Sequence, residues 1–151
     1  MTFERTAESL RAAAAEVFEL MFFVASEDAA PVKSWDRVMI LAQVEFQGQW
    51  SGRCAVEMPE SLARTITGNF TAAPDPEEVH VDVMIETMCE LANMICGSTI
   101  TRMRCPGIVT LSPPHLIEEW PRPKREAHAA EQWLDAGEGL VHIRFEAEAK
   151  V

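Results

Sequence analysis

The chain has 151 residues, of which 48% are hydrophobic and 25% are charged, a composition typical of a folded domain and unlike a disordered segment. Twenty-four acidic residues against thirteen lysines and arginines give a formal charge of -11, which disfavours nucleic acid and anionic membrane surfaces as partners. The length predicts one domain over residues 1–151. No secretion signal or long apolar run is present in the sequence, which predicts a cytoplasmic protein.

The first half of the chain predicts a helix, a hairpin and a second helix. Residues 8–23 form the first helix, and a loop follows over residues 28–34. Residues 37–46 and 50–58 are rich in strand-forming side chains and flank a short polar turn, which predicts an antiparallel hairpin. Pro59 then opens a short helix over residues 60–69. The apolar positions of the first helix follow a helical period: Leu10, Ala14, Val17 and Met21.

The second half predicts one long helix followed by strands. A proline-containing linker over residues 71–78 leads into a helix over residues 77–103, which the Pro106-Gly107 turn ends. Residues 108–111 predict a buried strand that two prolines terminate, and residues 118–125 are irregular and polar. Residues 127–134 and 140–148 flank the turn at 135–139 and predict a final hairpin.

The long helix carries the most informative pattern in the chain. At about 100° per residue, one side of this helix is wholly apolar and its opposite side presents a narrow polar stripe. The carboxylate and the amide of the stripe lie one turn apart in water, an arrangement suited to docking against a cation while the amide orients a water molecule. The apolar side comprises Met84, Met88, Leu91 and Ile95, and the stripe comprises Glu86, Glu90, Asn93 and Gly97.

The stripe resembles the active-site signature Glu-x-x-Asn-x-x-x-Gly of the CheC/CheX/FliY family of chemotaxis phosphatases, and its single well-formed copy is most like CheX. The order of the first helix, the strand pair with its Met58-Pro59 exit and the motif helix also matches that family. The resemblance implies an α/β two-layer fold of the α+β class. In such a fold a mostly antiparallel sheet is backed by two long pseudo-symmetric helices.

The resemblance also implies a function, the hydrolysis of the aspartyl phosphate of a CheY-like receiver. Glu90 and Asn93 are then catalytic, whereas Glu86, Met94 and Gly97 bind the partner. Glu86 departs from the pattern, in which a shorter Asp or Ser takes that position. The chain would need no cofactor of its own, since the phosphorylated receiver supplies Mg²⁺. An inactive adaptor that binds a receiver or a flagellar-switch component is the alternative, and a purely structural dimer is a third possibility.

A shift of 74 residues superposes the apolar positions of the two long helices, although any two amphipathic helices can be aligned in this way. The stripe positions then fall on Ala12, Glu16, Glu19 and Phe23, so the first helix lacks the amide and the glycine. This predicts a member of the family with a single active site. The resemblance to such members implies that the chain forms a homodimer. A sheet edge at residues 141–145 or 38–46 could pair across the two-fold axis.

The remaining reactive side chains show no catalytic or metal-binding spacing. The four cysteines are expected to be free thiols, because no Cys-x-x-Cys pair is present in the sequence. The four histidines are scattered without a companion at ligand distance, so no metal site is predicted. The cysteines are Cys54, Cys89, Cys96 and Cys105, and the histidines are His80, His115, His128 and His142.

Overall fold

The structure is a computed structural model that describes residues 3–32, 37–72, 75–123 and 128–149. The helices in these ranges are α1 (Phe3–Phe22), α2 (Glu60–Thr71) and α3 (Val81–Met103), with a 3-10 turn at Pro76–Glu78. The strands are β1 (Glu27–Asp28), β2 (Met39–Gln47), β3 (Trp50–Pro59), β4 (Thr110–Leu111), β5 (His115–Leu116), β6 (His128–Asp135) and β7 (Leu140–Ala149).

The strands form one antiparallel sheet in the order β1-β6-β7-β3-β2-β4, and β5 also pairs with β2. Both predicted hairpins are confirmed, since β2 pairs with β3 and β6 pairs with β7. The pairing of β3 with β7 joins the two hairpins. The α+β fold with an antiparallel sheet is therefore as expected.

The helices pack on one face of the sheet and form the core with it. Alternate residues of the long strands point to this face, because successive side chains of a strand lie on opposite sides. α1 packs against α3 and β6, whereas α3 packs against β2 and β3. Core side chains from the strands include Val44, Cys54, Val56, Ile143 and Phe145, and those from the helices include Leu10, Val17, Met88, Leu91 and Ile95.

The first helix differs from its prediction at both ends. α1 begins at Phe3 instead of residue 8. Met21 is 43% exposed, whereas the rings of Phe18 and Phe22 are buried and lie 6.4 Å apart between centroids. The two rings fill the core at this end of the helix because each buries more apolar area than a methionine.

α3 begins four residues later than predicted. Asp75 caps the 3-10 turn, since its Oδ1 accepts a hydrogen bond from the Glu77 N–H at 2.9 Å. The Nδ1 of His80 then accepts from the Asp82 N–H at 3.2 Å and starts α3 as a separate helix. The C-terminal end is confirmed at Met103, since Arg104 takes the left-handed conformation directly after it.

Three strand predictions are wrong. The buried strand expected at residues 108–111 is reduced to β4 at the sheet edge, and Ile108 is 86% exposed. Neither expected dimer edge is free, because β7 lies between β3 and β6 while β2 is paired on both sides. In the described part of the chain, residues 128–132 of β6 have β7 on one side and no strand on the other, since β1 pairs only with Leu134 and Asp135.

The face of the sheet opposite the helices is covered by the irregular segment over residues 117–123. The Trp120 ring lies 4.6 Å from the His142 imidazole, and the Arg144 guanidinium lies 4.9 Å from the Trp120 ring. Arg144 Nη1 donates to the Pro121 carbonyl at 3.4 Å, and Arg53 donates to the Arg122 carbonyl. The segment therefore covers part of the sheet face that lies opposite the helices.

Gly52 is the position where the packing of β3 against β7 is tightest. A Cβ atom at this residue would lie 1.8 Å from the Glu146 carbonyl oxygen, and both strands are central in the sheet. We expect Gly52→Ala to lower the free energy of unfolding by about 3 kcal/mol, measured by urea denaturation. Gly139→Ala is the control, because its Cβ would meet Leu62 at an ordinary 3.4 Å. Equal losses in the two variants would contradict this account.

Candidate functional site

The polar stripe of α3 faces outwards because the opposite side of the helix is held in the core. Met84, Met88, Leu91 and Ile95 are buried as predicted. Glu86 and Glu90 are exposed, and Asn93, Met94 and Gly97 are partly buried. The structure therefore brings all five predicted site residues to one surface of one helix.

The side chains of Glu90 and Asn93 are free to meet a partner molecule. No hydrogen bond or ion pair joins either side chain to another part of the described chain. Both lie in the middle of a 23-residue helix, away from its fraying ends. A carboxylate and an amide are thus held in fixed relative positions with their hydrogen-bonding capacity unused.

Gly97 leaves open space at the end of the stripe. A Cβ atom at this residue would meet nothing within 4 Å, so the packing of the chain does not require a glycine here. Glycine in a helix interior is less stable than alanine by about 0.5–1 kcal/mol. The residue therefore suits the close approach of something outside the described chain.

α1 carries the same burial pattern as α3 but lacks the stripe. Leu10, Ala14 and Val17 are buried, as are their counterparts 74 residues later, whereas Met21 departs from the pattern. Glu16, at the position equivalent to Glu90, forms an ion pair with Arg102 of α3. The described part of the chain therefore presents the combination of free carboxylate, free amide and open glycine on α3 and not on α1.

The cysteines lie in or near the core and are free. A hydrogen bond with Cys54, together with burial, raises the pKa of the Cys96 thiol above its ordinary value. Burial likewise raises the pKa of Cys89 and is the main cause of the raised pKa of Cys105. These thiols are poor nucleophiles at neutral pH, since the thiolate is the reactive form.

The described histidines and acidic residues form no recognisable metal site. Across the four described ranges, no group of three or more His, Cys, Asp or Glu side chains is arranged to hold a metal ion. His142 is stacked on Trp133 with 4.0 Å between ring centroids, and burial lowers the pKa of its imidazole. None of the helices in these ranges is long and apolar enough to cross a membrane.

The sequence reasoning missed the part that α1 plays beside the stripe. Arg102 was not among the predicted site residues, yet it links the exposed surfaces of the two long helices through its ion pair with Glu16. Leu20 and Phe23 at the end of α1 are 62% and 74% exposed. Helical periodicity could have placed Leu20 on the Glu16 side of α1, but it could not show that this side lies next to α3.

Comparisons with known proteins give a family and a set of similar folds. The sequence profile of the chemotaxis phosphatase CheX family matches residues 40–134. The solved structures that resemble the chain include CheX from Vibrio vulnificus, at 15% identity and a TM-score of 0.74, covering 98% of this chain and 99% of that one. A CheC-like superfamily protein from Shewanella sp. PV-4 has 16% identity and a TM-score of 0.75, covering 96% and 98%.

A third similar structure is a complex. It contains CheX, CheY, BeF3 and Mg²⁺ from Borrelia burgdorferi, and the similar chain has 16% identity and a TM-score of 0.72, covering 93% of this chain and 96% of that one. The TM-scores and coverages of these three structures show a shared fold. No protein with a curated function matches the sequence significantly.

The open space at Gly97 predicts a gain in stability on substitution. We expect Gly97→Ala to raise the free energy of unfolding by about 0.5–1 kcal/mol, because alanine fits the helix and meets no neighbour. Urea denaturation measures the change. The same replacement at Gly137, where φ is +89°, should instead destabilise the protein. A loss of stability in Gly97→Ala would show that the glycine is required by the fold.

Proposed function

This chain belongs to the chemotaxis phosphatase CheX family, and on that basis we propose that it hydrolyses the aspartyl phosphate of a CheY-like receiver. One observation carries the proposal. Glu90 and Asn93 have unused hydrogen-bonding groups on the exposed side of a helix whose other side is fixed in the core. The family membership suggests a phosphorylated receiver as the substrate class, and the geometry of the free pair suits such a substrate.

In the proposed reaction Glu90 positions the receiver and Asn93 positions the attacking water. The Glu90 carboxylate forms an ion pair with a lysine beside the phosphorylated aspartate. The Asn93 amide binds a water molecule in line with the phosphorus, so that the water oxygen bonds to phosphorus as the bond to the aspartyl oxygen breaks. Inorganic phosphate leaves, and the receiver aspartate becomes a carboxylate again. Such acyl phosphates hydrolyse unaided, and correct placement alone can lower the barrier by several kcal/mol.

The receiver supplies Mg²⁺ and the phosphoryl group, so the chain needs no cofactor of its own. The similar structure from Borrelia burgdorferi is a complex that contains CheX, CheY, BeF3 and Mg²⁺ together. Gly97 allows the receiver backbone to approach α3, while Glu86 and Met94 contact the receiver on either side of Glu90. Cation pairing through Glu86 and Glu90 fits the acidic charge of the chain.

We also propose that the protein forms a homodimer through β6. Residues 128–132 of this strand form an open edge in the described chain, and exposed edges of this kind favour pairing with a second strand. The two-fold axis would then run beside β6 and leave the α3 stripe of each subunit accessible. This edge replaces the two that the sequence had suggested.

The proposed reaction leads to a prediction about the rate of hydrolysis. We expect the wild-type protein to speed the decay of a phosphorylated receiver and Asn93→Ala to lower the maximal rate about a hundredfold, because the water loses its orienting group. Glu90→Ala should weaken receiver binding as well. Glu19→Ala is the matched control, because this exposed residue lies at the position of α1 equivalent to Asn93. Receiver binding without faster decay would indicate the adaptor function instead.

The proposed dimer leads to a prediction about the open edge of β6. The Trp133 carbonyl accepts from the Ala29 N–H on the outer side of β6, so by alternation the Ala129 N–H also points to the open edge. Ala129→Pro removes this donor without removing a hydrogen bond to β7. We expect sedimentation to show a dimer for the wild type and a monomer for this variant, with unchanged circular dichroism. A monomeric wild type at micromolar concentration would contradict the proposal.

A further inference from the structure

The C-terminal end of α1 exposes two large apolar side chains that the fold does not use. Leu20 is 62% exposed and Phe23 is 74% exposed. Phe23 also has a φ of +57°, a left-handed conformation that bulky residues adopt at an energetic cost. A glycine or an asparagine would end the helix without that cost and without an exposed ring. Ala72 and Arg104 take the same conformation after α2 and α3, so it is the exposed ring of Phe23, and not its backbone, that points to an external contact.

Two ion pairs define the two flanks of α1. Arg11 pairs with Asp28 of β1 at 3.6 Å, and this flank faces the sheet edge beside β6. Glu16 pairs with Arg102, and this flank faces α3. At 3.6 residues per turn, Leu20 lies about 40° from Glu16 and about 180° from Arg11. Phe23 follows directly after α1 and has a left-handed backbone, so the helical period places Leu20 alone on this flank.

The corresponding flank of α3 carries Met94. This residue lies about 80° from Arg102 around the helix, whereas Asn93 lies about 180° from it. Met94 is therefore on the part of the exposed surface that is turned towards α1, and Glu90 lies between Met94 and Asn93 in angle. Leu20 and Met94 therefore lie on the flanks of α1 and α3 that are turned towards each other, and Glu90 and Asn93 follow Met94 around α3.

We propose that Leu20, Phe23 and Met94 form an apolar rim that binds an apolar patch of the same receiver and sets its affinity. This inference rests on the proposed function. A receiver close enough to use the open space at Gly97 lies against α3, so its adjoining surface meets the neighbouring helix. A second copy of the chain is a poorer occupant, because the open edge of β6 lies on the Arg11 flank of α1, away from Leu20.

The test is the double variant Leu20→Ser, Phe23→Asn. Both side chains are exposed, and asparagine tolerates the left-handed backbone, so the fold should be kept. We expect the receiver concentration at half-maximal rate to rise about tenfold, with the maximal rate within about twofold of wild type. The Kd for the receiver loaded with beryllofluoride and Mg²⁺ should rise equally. Asn93→Ala should instead lower the maximal rate and leave this Kd near its wild-type value.

Ile108→Ser is the matched control, since this apolar residue is 86% exposed and lies outside the two long helices. A double variant with an unchanged Kd and half-maximal concentration would overturn the rim while leaving the phosphatase function in place. A change from dimer to monomer in the double variant would also overturn it, because the rim would then belong to a second copy. A wild type that binds receivers without hydrolysing their phosphate would refute the phosphatase function, and the Kd would still test the rim.

Discussion

The burial of one side of α3 against β2 and β3 is the constraint on which the rest of the structure depends. Four large apolar side chains at helical spacing, each worth roughly 1.5–3 kcal/mol on burial, fix the rotation of the helix about its axis. With the rotation fixed, the helix positions of Glu90 and Asn93 lie on the side of α3 that is opposite the core. The chemistry of the site therefore follows from packing on the opposite side of the same helix, and the site itself can remain free of internal contacts.

The two faces of the sheet differ in what packs against them. One face builds the core with the helices, and the other carries the buried ion pair between Arg53 and Glu146, with 2.9 Å between Nη2 and Oε2. The segment over residues 117–123 lies across this second face. Both contacts from Arg53 reach Oε2, whereas the buried Oε1 of Glu146 accepts no hydrogen bond from the described residues. Removal of Arg53 would therefore leave a buried carboxylate without a charge partner.

Local patterns in the sequence predicted the long elements and the direction of the stripe, because helix and strand periods depend on neighbouring residues. The start of α3 was missed because the Asp75 cap makes a separate turn out of residues that could equally have extended the helix. The free edge of the sheet was wrongly predicted for a different reason. Only the pairing of β7 with both β3 and β6 shows which strands are central, and that pairing joins residues far apart in the chain. The contact of Glu16 with Arg102 likewise spans 86 positions and leaves no local trace.

The strand order has a consequence for synthesis of the protein on the ribosome. β7 is the last of the described elements to be made, yet it joins the β2–β3 hairpin to β6 and, through it, to β1. Until β7 emerges, the apolar side of α1 has no complete sheet to cover it, and β3 presents an unpaired edge. Folding that depends on such distant contacts is slow, and intermediates with exposed apolar surface are prone to aggregate. The nascent chain is therefore most vulnerable just before its final hairpin closes, when α1 is already made but β6, against which it packs, has not yet joined the sheet.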